Sequence, residues 1–316
     1  MKGYILKRLL SLIPVLLVVA VIVFLIIHMT PGDPASVMLG PDASPKEVAE
    51  LRDQLGLNLP LYQQFFSWFA GVLQGDLGYS FFMSESVLHA FISHLGPTFS
   101  LAVLAQVFAI VLAIPLGVIA ARKRGSVVDQ SFMGFSLIGI SVPSFLLGLF
   151  LILLFAVHLR WLPVAGYKPL SEGLGLHIKY LILPAIALGM MQAALIARMT
   201  RSSMLDILNA NFIKTARSKG VKERMIVYKH ALRNAFIPIL TIIGQTFGTL
   251  VAGAAVVETV FNIPGIGQLV VNSVERRDFA VIQGTILLVA ISYVTINLII
   301  DLLYGVIDPR VRLSRK

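Results

Sequence analysis

Six long runs of apolar residues, almost free of charge, are the feature that most restricts how this chain can fold. A bilayer core of about 30 Å is crossed by roughly 20 apolar residues in a helix. Each run is close to that length or longer, and the first lacks the small-x-small cleavage site of a secretory signal. The predicted membrane-spanning helices are Leu9–Ile27, Thr98–Ala121, Gln130–Val157, Tyr180–Ala197, Ala235–Val257 and Ala280–Ile307, and the third is expected to tilt or to kink at Pro143.

The distribution of Lys and Arg indicates the orientation of these helices, because basic residues collect in cytoplasmic loops. With a cytoplasmic N-terminus, segments 1–8, 122–129, 198–234 and 308–316 hold 19 of the 26 basic residues. The outer segments hold 7 basic residues but 11 of the 16 acidic ones. Both termini are therefore predicted to be cytoplasmic. A basic face on anionic lipid explains the net charge of +10 without a nucleic-acid partner.

The composition agrees with a membrane protein. Hydrophobic residues make up 57% of the 316 and charged residues only 13%, which leaves too little polar surface for a soluble domain. We predict an all-α integral membrane protein. Residues 1–97 are expected to form the first span and an outer helical segment. Residues 98–307 form a five-helix core with cytoplasmic helices at 204–234, and 308–316 form a cytoplasmic tail.

The outer segment 31–97 is predicted to contain two helices. Ser44-Pro45-Lys46-Glu47 is a capping box with Pro at the first helical position, so a helix is expected to follow and to end at Gly56. A second helix is expected at 61–74. It carries Phe65, Phe66, Trp68 and Phe69, and this aromatic density indicates a helix at the membrane interface, a docking surface for an outer partner, or both.

The outer segment 258–279 is too apolar for an ordinary loop and too short to cross the membrane twice. Pro264, Gly265 and Gly267 in its centre are expected to break the helix and to precede a short amphipathic helix. A re-entrant pathway element and a helix packed flat on the bundle both remain open. Glu258 is expected either to meet an amino group that passes the outer end of the fifth span or to pair with Arg276 or Arg277. The candidate pathway or gate residues are Glu258, Asn262, Pro264, Gly265, Gly267, Gln245 and Asp301.

The cytoplasmic segment 198–234 is predicted to contain two helices. The first is expected at 204–219, ended by Gly220, and the second, which is basic, at 222–234. A helix pair held between two spans can act as a lever that a partner protein pushes. A solvated basic loop facing lipid is the alternative. The face predicted for the first helix consists of Leu208, Phe212 and Ala216.

No arrangement of residues predicts catalysis or metal binding by this chain. Cysteine is absent, and no two of the six histidines have the i, i+4 spacing of a helical metal site. No Gly-x-x-x-x-Gly-Lys-Ser/Thr phosphate loop occurs, so this chain is not expected to bind ATP itself.

Short motifs along nearly the whole chain carry a family resemblance. They are Pro31–Pro34, Leu55–Leu57 with Pro60-Leu61, Gly75–Gly78, Arg198–Leu205, Thr215–Gly220, His230–Asn234, Pro264–Gly267, Arg276–Asp278, Asp301–Gly305 and Asp308–Arg310. In this order and at this spacing they resemble permease subunits of bacterial ATP-binding-cassette importers of the dipeptide, oligopeptide and nickel branch.

The resemblance implies the type I importer permease fold, with Asn211–Gly220 as a coupling helix seated in a groove of a cytoplasmic ATPase. It also implies a second homologous permease, two ATPase subunits that hold ATP and Mg²⁺, and an extracytoplasmic substrate-binding protein. Lys214-Thr215-Ala216 replaces the Glu-Ala-Ala of the wider family, whereas Gly220 is kept. The residues expected to engage the ATPase are Asn211, Thr215, Ala216, Arg217, Lys219, Gly220, His230, Arg233 and Asn234.

We therefore expect a transmembrane permease subunit of an ATP-driven importer of di- and oligopeptides in the bacterial cytoplasmic membrane. Glutathione, a nickel chelate or another small solute is the alternative substrate within the same importer type. A proton-coupled secondary transporter is less favoured, because it usually needs inverted repeats and several buried carboxylates. An enzyme is disfavoured, because no catalytic motif is present.

Overall fold

The computed structural model describes residues 2–29, 32–40 and 42–307, which are mostly helical. The N-terminal elements are α1 (Lys2–Met29), α2 (Pro34–Leu39), α3 (Pro45–Gln54), α4 (Leu61–Leu73) and an antiparallel hairpin of β1 (Tyr79–Ser80) and β2 (Glu85–Ser86). The central elements are α5 (Val87–Arg122), α6 (Val127–Ser141), α7 (Ser144–Leu151), a π-helix (Ile152–His158) and a 3₁₀ turn (Leu170–Glu172). The last elements are α8 (Leu174–Leu208), α9 (Asn211–Ser218), α10 (Glu223–Met225), a second π-helix (Ile226–Leu232), α11 (Arg233–Gly253), α12 (Ala255–Val260), α13 (Ile266–Glu275) and α14 (Phe279–Ile307).

Within the described residues, four helical stretches are long and apolar enough to cross a membrane. They belong to α5, α8, α10–α11 and α14, and α6 with α7 adds a fifth if this bent pair is one span. The first predicted span corresponds to α1, where Leu12–Ile26 is a shorter apolar helix. The structure therefore contains the predicted series of apolar helices, and α5 and α8 extend well beyond the predicted limits.

The third predicted span is sharply bent rather than merely tilted. Its two halves, Val127–Ser141 and Ser144–His158, are inclined by 100°. The break lies at Val142, which is extended with φ −83° and ψ 121° and precedes Pro143. Proline disfavours helical geometry in the residue before it and has no N–H to continue the hydrogen-bond ladder.

The chain divides into two compact units, of which the first contains the chain up to Gly96 together with Gly265–Leu298. Within this unit the Ser80 hydroxyl of the hairpin donates a hydrogen bond to the buried Asp278 carboxylate. Asp278 also accepts a hydrogen bond from the Val281 N–H at 3.3 Å, at the start of α14. The apolar core of this unit comprises Ala20, Leu77, Val87, Ala90, Leu269, Val281 and Leu287.

Both helices predicted in the outer segment are confirmed. The Ser44 hydroxyl accepts a hydrogen bond from the Glu47 N–H at 3.3 Å, and Glu47 accepts one from the Ser44 N–H at 2.8 Å, which completes the capping box. The hydrogen bond from the Ser44 side chain lowers the pKa of the Glu47 carboxyl. The aromatic helix α4 packs on α1, with Phe65 at a ring-centroid distance of 5.3 Å from Phe24.

The second unit contains Pro97–Pro264 together with the chain from Ile299. Here α5 and α8 meet along two stripes of buried small residues, each repeating every four positions, which lets the backbones approach closely. A Cβ on Gly189 would lie 2.6 Å from the Ala105 carbonyl oxygen, and a Cβ on Gly117 would lie 2.7 Å from that of Ala197. The stripes are Ala105, Ala109, Ala113 and Gly117 on α5, and Ala185, Gly189, Ala193 and Ala197 on α8.

These contacts also give the relative direction of the two helices. The pair Ala105 and Gly189 is followed by the pair Gly117 and Ala197, so position along α5 and position along α8 increase together. The two helices are therefore parallel. This agrees with the predicted orientation, in which both run from the outer side to the cytoplasmic side.

Candidate functional site

The coupling helix implied by the family motifs is α9, which is a separate helix. The prediction of one helix at 204–219 is wrong, because α8 ends at Leu208 and Ala210 is extended with φ −68° and ψ 149°. The predicted end at Gly220 is correct. Gly220 has φ +74°, its N–H bonds to the Arg217 carbonyl at 2.9 Å, and the Val221 N–H bonds to the Ala216 carbonyl at 3.2 Å. These two bonds form a Schellman motif, in which a left-handed glycine ends the helix.

One isoleucine anchors α9 to the apolar core of the second unit. Ile213 is 0% exposed, and it belongs to the same core cluster as Met204, Ile226 and Val227. The predicted apolar face is correct for Leu208 and Ala216, which pack against this core cluster, but wrong for Phe212, which is 47% exposed. Because the extended Ala210 interrupts the helix, Ile213 takes the place of Phe212 in the core, three positions before Ala216 on the same face of α9.

We expect Ile213→Ala to loosen α9, whereas Phe212→Ala changes little. Ile213→Ala lowers the free energy of unfolding of this region by roughly 2–5 kcal/mol, because it removes apolar contacts and leaves a cavity. Phe212→Ala removes a side chain that is already half exposed to solvent. Amide hydrogen exchange across 211–218 measures the difference. Equal exchange rates in the two variants would show that Ile213 is not the anchor.

The predicted coupling residues lie mainly on the surface. Arg217 binds the Glu223 carboxylate through Nη2 at 2.8 Å and Nε at 3.2 Å, and this hydrogen bonding raises the pKa of Arg217. The predicted set therefore gives an accessible, partly basic surface on the anchored α9 and on the segments that follow it. Ala216 and His230 are half-buried, whereas Asn211, Thr215, Arg217, Lys219, Gly220, Arg233 and Asn234 are exposed.

The predicted second basic helix exists, but its centre is a π-helix. The chain passes from α10 through Ile226–Leu232 into α11 without an extended residue. The side-chain amide of Asn234 donates a hydrogen bond to the His230 carbonyl at 2.6 Å in this region. Segments of π-helix are rare and frequently occur at functional sites.

A buried ion pair between α6 and α8 was not predicted from the sequence. Asp129 in the first turn of α6 accepts two hydrogen bonds from the Arg201 guanidinium, at 2.6 Å from Nε and 2.8 Å from Nη2. The same carboxylate accepts the Gly125 N–H at 3.0 Å, and the Ser126 hydroxyl caps the helix. A signal was present, since Asp129 is the only acid in the basic segment 122–129. The pair fixes the start of α6 to the last turns of α8, just before α9.

Among the candidate pathway residues, Glu258 occupies the most enclosed position. Its side chain is 0% exposed, and it accepts a hydrogen bond from the Thr98 hydroxyl at 2.6 Å. Deeper along α5, Gln106 accepts a hydrogen bond from Thr246 of α11 at 3.3 Å. Polar side chains therefore join α5 to α11 and α12 at two levels. The Gln106 side chain thus links two helices within the apolar part of the bundle.

Packing explains why the turn after Glu258 is so apolar. Phe261 is buried against Gly148 of α7, and its carbonyl accepts the Gly166 N–H at 2.7 Å. Asn262, in the left-handed region with φ 49°, and Pro264 are exposed. The predicted amphipathic helix is α13, which begins directly after Gly265. Gly267 lies inside this helix, so its predicted role as a helix breaker is wrong.

The remaining candidates belong to other helices. Gln245 is exposed on α11. Asp301 is in α14, and its side chain lies outside the described residues, as do Pro31 and the predicted tail 308–316. Within the described ranges, no three His, Asp or Glu side chains come together as a metal site requires.

Two family models match the chain. Residues 113–313 match the binding-protein-dependent transport system inner membrane component. Residues 1–102 match the N-terminal binding-protein-dependent transport system membrane component. Together they cover both compact units of the structure.

Proteins that are similar to this chain over their whole length are named as permeases. The probable peptide ABC transporter permease protein y4tP of Sinorhizobium fredii is 44% identical over 312 residues, which cover 99% of this chain and 100% of that protein. The glutathione transport system permease protein GsiC of Escherichia coli K12 is also 44% identical over 312 residues, with 99% of each chain covered. Among solved structures, the MetNI methionine ABC transporter shares the fold, with a TM-score of 0.55, 19% identity, and coverage of 70% of this chain and 97% of that chain.

Proposed function

The chain belongs to the family of binding-protein-dependent transport system inner membrane components, as a multi-pass permease subunit of an ABC importer, and from this premise we propose that it carries short peptides. The similarity to a peptide permease and to a glutathione permease supports this substrate class, because glutathione is itself a tripeptide. The two candidate substrates to compare are ordinary di- and oligopeptides on the one hand and glutathione on the other.

We propose that two partner ATPase subunits bind ATP and Mg²⁺ and seat α9 in a surface groove. The observation that carries this proposal is the combination of an exposed basic face with a buried anchor, Ile213. A partner that moves α9 also moves the core cluster to which α5, α8 and α11 contribute residues. A second homologous permease would complete the path, and an extracytoplasmic binding protein would deliver the peptide.

The test is reconstitution of the complete importer in vesicles with its binding protein. We expect peptides to stimulate ATP hydrolysis and to accumulate inside the vesicles. Stimulation by glutathione alone would narrow the substrate to that tripeptide. Failure of every peptide and of glutathione to stimulate hydrolysis by an assembled, ATP-hydrolysing complex would refute the proposed substrate class.

We expect Gly220→Trp to leave the permease in the membrane but to abolish transport. No heavy atom lies within 4 Å of a Cβ on Gly220, so the strain within the chain comes from the φ of +74°. The bulky indole would also prevent α9 from fitting into the groove of the ATPase. Gly220→Asn is the matched control, because Asn tolerates left-handed geometry and is small. The measurement is peptide uptake by the two variants, with the amount of permease in the membrane determined in parallel. Normal uptake by the Trp variant would contradict the coupling role of α9.

A further inference from the structure

A basic surface cavity, open on one side, lies along the segment 222–229 that follows α9. Its volume is about 380 Å³, and the residues that line it are Lys222, Arg224, Met225, Tyr228 and Lys229. Three of these five residues are cations and none is an acid. In the described part of the chain, none of the three cations forms an ion pair within 4.0 Å.

The nearest acid in sequence is not available to neutralise the cavity. Glu223 lies between Lys222 and Arg224, but both of its carboxylate oxygens are bound by Arg217, at 2.8 and 3.2 Å. Three cations around one cavity repel each other, so an anion that enters is favoured by the charge of all three.

The apolar part of the lining indicates what kind of anion enters. Tyr228 is 51% exposed and Met225 is 44% exposed, so the basic groups stand beside a hydrophobic surface. The π-helix that carries Tyr228 and Lys229 continues directly into the membrane-spanning α11. Tyr next to Lys and Arg at the end of a span is typical of the headgroup region of the cytoplasmic leaflet.

We propose that this cavity binds the headgroup phosphate of an anionic phospholipid. Lys222, Arg224 and Lys229 donate hydrogen bonds to the phosphate oxygens, while Tyr228 and Met225 lie along the glycerol and the first acyl carbons. Each basic residue near an anionic leaflet strengthens binding by roughly fivefold, so the three together contribute on the order of 100-fold. Since the cavity lies along the segment that follows α9, the bound lipid would also hold the coupling region at the membrane surface.

The test compares the complete importer with its Lys222→Gln/Arg224→Gln/Lys229→Gln variant. Both are placed in bilayers of phosphatidylcholine alone or with added phosphatidylglycerol. We expect the wild type to retain phosphatidylglycerol in native mass spectrometry and to hydrolyse ATP faster when this lipid is present. The triple variant should lose both effects. Lys229→Gln should weaken lipid retention about fivefold, whereas Lys123→Gln, the same charge change on an exposed cytoplasmic residue outside the cavity, should not.

Three results would overturn the proposal. Equal retention of phosphatidylglycerol by wild type and triple variant would show that the cavity is not a lipid site. Loss of the ATPase subunits from the triple variant during purification would assign the cations to the protein partner instead. Displacement of the lipid effect by inorganic phosphate would assign the cavity to a soluble anion. Lipid retention is measured without any peptide, so it is independent of the proposed substrate.

Discussion

Asp129→Ala is expected to inactivate the permease and to destabilise it strongly. The substitution leaves the mostly buried Arg201 guanidinium without the carboxylate that now binds it through two hydrogen bonds. Removing one partner of a buried ion pair costs roughly 3–5 kcal/mol, because the remaining charge stays out of water. The thermal unfolding midpoint of the purified importer and uptake in cells measure the two effects.

An exposed ion pair in the same region provides the matched control. Glu223→Ala breaks the contact with Arg217, in which both side chains are about half exposed. Such pairs contribute about 0–1 kcal/mol, so little change in the unfolding midpoint is expected. The exchanged double variant Asp129→Arg/Arg201→Asp should recover part of the stability lost in Asp129→Ala. If the two alanine variants lowered the midpoint equally, the buried pair would not have the structural role assigned to it.

Gly189→Ala is expected to destabilise the contact between α5 and α8 although it adds only one methyl group. The new Cβ would lie 2.6 Å from the Ala105 carbonyl oxygen and 2.8 Å from Cδ1 of Phe108. A backbone oxygen cannot rotate away, so α5 must move, and such overpacking typically costs about 1–3 kcal/mol. The unfolding midpoint of the assembled importer should fall.

Another glycine of the same helix separates crowding from helix propensity. Gly175 lies in the first turn of α8, and no heavy atom lies within 4 Å of a Cβ built there. Gly175→Ala should be neutral or slightly stabilising, because Ala favours a helix by up to about 1 kcal/mol over Gly. A Gly189→Ala variant as stable as Gly175→Ala would mean that α5 and α8 are farther apart than the structure has them.

Features determined by neighbouring residues could be predicted from the sequence. The capping box at Ser44 needs only residues three positions apart, and the end of α9 needs only a glycine that accepts left-handed geometry. The apolar spans and their orientation follow from runs of hydrophobic residues and from the positions of Lys and Arg. The position of the proposed coupling helix came from the family motifs and not from periodicity.

Features determined by distant residues could not be predicted. The interruption at 209–210 contains neither Pro nor Gly, and it is stabilised by the burial of Ile213 among residues of other helices. The Asp129 and Arg201 pair joins positions 72 residues apart. The apolar turn after Glu258 suggested a pathway element or a packed helix, and only the contact of Phe261 with Gly148 shows how its ring is buried.

The small-residue contact between α5 and α8 has a mechanical consequence. Long side chains at a helix interface can change rotamer and thereby absorb a displacement of one helix. Alanine and glycine have no rotamers, so an interface made of them has low compliance. A displacement of α9 would therefore be transmitted along the whole of α8, and α5 would move together with α8 as one rigid body.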